Sequence, residues 1–109
     1  MHIEGVPFAT IDWSKVEPTE HPGDSGKAIW QTVEQGNLRV RQVEYTPGYK
    51  ADHWCSRGHV LHVISGELTT ELKDGRSFVL KTGETYIVAE GAEPHRSQTS
   101  VGVRLFIVD

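Results

Sequence analysis

HVLHVISGELTTELKDGRSFVLK, residues 59–81, is where this chain declares its architecture. HVLHVIS (59–65) runs into Gly66, ELTTELK (67–73) into Asp74-Gly75, and RSFVLK (76–81) towards Gly83. β-branched and aromatic residues fill the runs, and no apolar spacing sustains a helical period. Asp74-Gly75 is a two-residue hairpin signal. The pattern continues outward in both directions. Upstream, AIWQTVE (28–34) ends at Gly36-Asn37 and LRVRQVEY (38–45) at Pro47-Gly48; downstream come TYIVAE (85–90), with Gly91 as a break, and VGVRLFIV (101–108). Short strands punctuated by turn residues at this spacing predict an all-β barrel or sandwich. Residues 1–27 are rich in Pro, Gly, Glu and Asp, as in Glu17-Pro18-Thr19-Glu20-His21-Pro22-Gly23-Asp24. They read as an irregular arm that packs on the barrel or reaches a partner subunit. The expectation is one domain over 1–109, with an arm at 1–27 and a barrel at 28–109.

The chain has 109 residues, enough to bury roughly two-thirds of the surface exposed when unfolded. That supports a real but small core, which pairing with a second copy would enlarge. The formal net charge is -4 and Lys and Arg occur singly, without a basic run, so nucleic acid is not an expected partner. No apolar run approaches a membrane span, and MHIEGVPFATIDW lacks the cationic start and apolar middle of a secretory signal. One cysteine cannot form an internal disulfide. A cytoplasmic protein without a membrane partner is expected.

His53, Cys55 and His59 lie close together in Ala51-Asp52-His53-Trp54-Cys55-Ser56-Arg57-Gly58-His59, and His95 lies well downstream. Imidazole and thiolate are the side chains best suited to a transition metal. On a strand His53 and Cys55 project to one side, about 7 Å apart. Ser56-Arg57-Gly58 has the length of a tight hairpin loop, which would make His59 a cross-strand neighbour of Cys55. His95 follows the turn Gly91-Ala92-Glu93-Pro94 and would begin a new strand. The four residues His53, Cys55, His59 and His95 are therefore the expected metal ligands. A metal held by the three histidines alone, with the thiol close by, would leave a position open to water or substrate.

Pro47-Gly48, then His53-x-Cys55, then His59 followed after six residues by Gly66, resembles the first motif of the cupins. That motif is usually PG, H-x-H, three or four residues, Glu, six residues and Gly. Gly83-Glu84 through Gly91 to Pro94-His95 resembles the second motif, which carries the fourth ligand. The resemblance covers residues 28–109, and Asp52-His53-Trp54-Cys55 is similar to the small cupins named after a DHCW motif. It implies a compact jelly-roll β-barrel, often a homodimer. Cys55 stands where a second His is usual, His59 where Glu is usual, and Val88-Ala89 lacks a common Pro. Three imidazoles and a thiolate form a softer set than the usual one, favouring Zn, Ni, Cu or Fe over Mg or Ca. A thiolate on redox-active iron is open to oxidation, which leans slightly towards a non-redox metal.

Other residues receive plainer readings. His62 has the opposite strand parity from His59 and is expected outside the barrel or at a subunit contact; His2 and His21 belong to the arm. Asp52 is a candidate acceptor for a ligand imidazole, and Trp54 is expected in core or interface packing. Arg39, Arg41, Val43 and Tyr45 share a strand face. If that face is inward, an Arg with Tyr45 or Tyr86 could orient a carboxylate, but pairing or exposure at the surface is the expected state of the arginines. Three functions follow. The first is a metal-binding small cupin taking a small polar molecule as substrate or ligand. The second is a non-catalytic binding or sensing barrel using the same cavity. The third is a thiol function with Cys55 activated by His53 or His59.

Overall fold

A computed structural model describes residues 2–109. It consists of β1 (Pro18–Pro22), β2 (Lys27–Gln35), β3 (Leu38–Tyr45), β4 (His59–Leu72), β5 (Ser77–Lys81), β6 (Thr85–Val88), β7 (His95–Gln98) and β8 (Val103–Val108), with one 3-10 turn at Trp13–Lys15. Every pairing is antiparallel, in the order β1-β2-β3-β8-β4-β5, with β6 and β7 also on β4. The path does not close on itself; two curved layers face each other in the manner of a jelly roll.

β4 belongs to both layers. Its first half lies between β6 and β8, its second between β5 and β7. A register shift between Val63 and Ser65 lets this happen. Before it, Leu61 and Val63 are the buried residues; after it, Leu68 and Thr70 are. Odd positions face inward on one side of the shift and even positions on the other, as an extra residue in a β-bulge requires. Gly66, expected to end a strand, instead sits at the corner with φ +92°, where a Cβ would come within 2.3 Å of the Gly102 carbonyl oxygen. The two expected runs at 59–65 and 67–73 are thus one strand.

The core collects Val43, Leu61, Val63, Leu68, Leu80, Val103, Leu105 and Ile107, with Trp30, Tyr45 and Tyr86 packed at its margin. Two turns follow their sequences. Thr46-Pro47-Gly48-Tyr49 closes with the Tyr49 amide donating to the Thr46 carbonyl and Gly48 at φ +84°, a type II turn with Pro and Gly in their favoured places. Gly36-Asn37 joins β2 to β3 with a positive φ at Gly36 only, as a II′ hairpin does. The Asp74-Gly75 turn differs from expectation. The Gly75 amide donates to the Leu72 carbonyl and the Leu72 amide to Arg76, giving a three-residue loop with Gly75 as the left-handed residue.

The arm is also more ordered than expected. Pro18–Pro22 pairs with β2 as an edge strand, a position where the missing proline N–H groups cost little. Further upstream the Asn37 amide donates to the Glu4 carbonyl and the Asn37 side chain to that of His2, tying the start of the arm to the β2–β3 turn.

Candidate metal centre

Three of the expected ligands meet. The donor atoms of Cys55, His59 and His95 all lie within 4.8 Å of one another. His59 opens β4 and His95 opens β7, as the sequence predicts. Cys55 arrives by another route. Its amide donates to the His95 carbonyl and its carbonyl accepts from the His95 amide, a two-bond bridge that places sulfur beside imidazole. The expected hairpin of Cys55 with His59 does not form. Ser56 and Gly58 are held instead on the 90–91 turn, through the Gly91 amide to the Ser56 carbonyl and the Gly58 amide to the Glu90 carboxylate.

His53 stands outside this group. Its side chain is 72 % exposed, and its Nδ1 lies 2.7 Å from the exposed Asp52 carboxylate. His53 nevertheless lines the same cavity as the other three. His62 points away, with Nδ1 2.8 Å from the Thr85 hydroxyl, and Trp54 lies under the Arg96 guanidinium at 4.5 Å.

Hydrogen bonds orient the two inner rings. His95 Nδ1–H donates to the Glu93 carbonyl at 2.9 Å, so a neutral ring carries its lone pair on Nε2. His59 Nδ1 is buried without a hydrogen-bond partner, and an Asp109 carboxylate oxygen lies 3.5 Å from it. His59 Nε2 faces His95 Nε2 at 3.1 Å and the Tyr86 hydroxyl at 2.9 Å. Two imidazole lone pairs at that separation need a proton or a cation between them. Metal–nitrogen bonds of 2.0–2.1 Å in tetrahedral geometry put two ring nitrogens roughly 3.3 Å apart, so these residues fit a metal. Interaction with His95 holds the Cys55 thiol below its usual pKa against the opposing effect of burial, and the same contact raises His95. Burial pushes the Tyr86 and Tyr45 hydroxyls well up.

An aspartate supports the centre from beneath. The Asp109 side chain is 1 % exposed and faces Arg39, Arg41, Arg57 and His59. Arg39 grips it with Nε at 2.8 Å and Nη2 at 2.9 Å, while Arg41 Nη2 is at 3.3 Å. Burial works against its charge, yet Arg39, His59 and Arg41 hold the carboxyl far below the usual range. The arginine face of β3 is therefore inward, not at the surface. Arg41 is 6 % exposed and lies against the Trp30 ring at 4.5 Å. Neither Asp109 nor Arg57 was an evident site residue in the sequence. The alternation of Val103, Leu105 and Ile107 was the available signal for Asp109, since it continues their buried face.

The three arginines, Cys55, His59 and His95 line a cavity of about 270 Å³, reached by Tyr45, Tyr49 and Arg96 as well. A second, apolar hollow of about 230 Å³ lies on the far side of His95 and Tyr86, against Leu72, Phe78 and Leu80.

No protein-family model matches the sequence, and no curated protein does. Solved structures do match. A predicted oxalate decarboxylase from Thermotoga maritima superimposes with a TM-score of 0.75 at 12 % identity, over 92 % of this chain and 96 % of that one. The cupin domain of Cnp3 from Schizosaccharomyces pombe gives 0.72 at 13 %, over 91 % and 71 %. The fold is that of the cupins. Fe(II)-HppE, solved with an alternative substrate, gives 0.74 at 16 %, over 98 % of this chain, which spans 61 % of that longer protein.

Proposed function

We propose that this cupin binds a divalent transition metal, Zn, Ni, Fe or Cu, through Cys55, His59 and His95, and presents it to a small polar molecule in the adjoining cavity. The observation that carries the reading is the convergence of three soft donors, with the two imidazole Nε2 atoms 3.1 Å apart. His53 is the remaining candidate ligand, at the cavity wall. The iron named for HppE supports a metal in a protein of this fold, and the DHCW stretch supports kinship with the small cupins of that motif.

The metal would act as a Lewis acid on an oxygen of the bound molecule. The chain's own groups do the rest. The Glu93 carbonyl fixes the His95 tautomer and ring orientation, and Asp109 faces the outer nitrogen of His59. The Cys55–His95 backbone bridge holds sulfur at the centre. Tyr86, its hydroxyl kept protonated by burial, can donate a hydrogen bond into the cavity.

Elemental analysis of protein purified without chelators tests the proposal. About one metal per chain is expected, falling at least tenfold in His59→Ala and His95→Ala; retention in His53→Ala confines the ligand set to three. A metal-free wild type defeats the reading. The thiol reading separates by alkylation: bound metal is expected to shield Cys55, and a thiol that reacts equally fast with and without metal is not a ligand.

A further inference from the structure

We infer that Arg41 anchors the carboxylate of a small organic acid in the cavity beside the Cys55–His59–His95 centre, an inference that rests on the metal-binding reading but can fail independently of it. Three observations carry it. First, Arg41 is more than nine-tenths buried, and its Nε–H has no hydrogen-bond partner. A buried guanidinium donor left unpaired is costly unless a ligand takes it. Its Nη2, on the same edge, has only the long 3.3 Å contact to Asp109, whose shorter bonds go to Arg39. The Nε/Nη2 edge is the fork that matches a carboxylate.

Second, the charges do not cancel. Arg39, Arg41, Arg57 and Arg96 line the cavity. Glu71 neutralises Arg96 through Nε at 3.0 Å and Nη2 at 2.7 Å, and Asp109 offsets one of the other three. Glu34 also faces Arg39 from the neighbouring strand and Arg57 is half exposed to solvent, so the charge left without a counter-charge of its own is that of Arg41. Third, shape selects the anion. The space is about 270 Å³, smaller than the pockets of drug-sized ligands. Its wall at Arg41 is the face of Trp30, with Tyr45 nearby on the same strand face. With the guanidinium lying over the Trp30 ring, its donors are left in its own plane, the arrangement that a planar carboxylate matches.

The test compares acetate and malonate with acetamide and malonamide, and with sulfate and inorganic phosphate. Each is followed by thermal melting and by the NMR resonance of the Arg41 Nε–H, using both metal-loaded and chelator-treated protein. The carboxylates are expected to raise Tm by about 4 °C or more at saturation and to move the Nε–H signal. The amides should do neither, and Arg41→Gln should lose the Tm response. Equal effects of acid and amide, or of malonate and sulfate, overturn the carboxylate assignment. A response confined to metal-loaded protein and unchanged in Arg41→Gln puts the acid on the metal alone and overturns the role of Arg41. A carboxylate response in a wild type that never binds metal upholds Arg41 and defeats the metal reading instead. Should Arg41→Gln fail to fold, the Nε–H signal of the wild type decides: no movement with malonate overturns the inference.

Discussion

Asp109 illustrates how a single side chain can serve charge balance and geometry together. It sits where β8 hands over to the centre, and its backbone exchanges both hydrogen bonds with Arg39. Replacement by asparagine keeps the shape but removes the counter-charge of Arg39 and Arg41. Breaking one side of a buried pair typically costs 3–5 kcal/mol. Asp109→Asn is therefore expected to lose about 3 kcal/mol in chemical denaturation, and a loss under about 1 kcal/mol would show that water already screens the pair. At this scale the sequence was partly legible. That His59 and His95 come together was legible from their residue type and the glycines around them. Arg41 was harder: its parity with Val43 and Tyr45 pointed inward, while its charge pointed out, and the partner that reconciles the two lies 68 residues away. Cys55 was placed near the right imidazoles for the wrong local reason, because a backbone bridge to residue 95 leaves no trace in the spacing of residues 53–59.

Among the elements, the strands were readable because alternation and β-branching survive in short windows. LRVRQVEY at 38–45 coincides with β3. What the windows hid was continuity. Glycine after HVLHVIS reads as a stop, yet at Gly66 it supplies the positive φ that lets one strand turn a corner. An alanine there meets both a conformational penalty and the Gly102 carbonyl at 2.3 Å. Gly66→Ala is expected to cost at least about 2 kcal/mol, read as a lowered urea midpoint with an unchanged slope. One stretch of the arm, Pro18–Pro22, was hidden for the opposite reason. Two prolines within Pro18–Pro22 suggest irregular chain, but an edge strand needs only half of its amides, and the other half pair with β2.

For the molecule as a whole, apolar side chains remain outside the core. Ile87 is 78 % exposed and Val79 54 %, with Val60 and Phe78 also accessible. Pairing with a second copy, the expectation from size, would cover such residues. Sedimentation is expected to give twice the chain mass, and Ile87→Glu to shift the balance towards the single chain; an unchanged monomer in both would remove the homodimer from consideration. Among the described residues no helix is long and apolar enough to cross a membrane.

The shared strand β4 has a bearing on how the molecule comes apart. Fourteen residues of one segment act as a spine on which β5, β6, β7 and β8 all hang. Neither layer can release its grip while the other stays intact, because both would have to let go of the same backbone. Amide protons in β5 and β8, on opposite layers, should therefore exchange with solvent at a common opening free energy. Separate values for the two would mean that the bulge at residues 63–65 works as a hinge between independent halves.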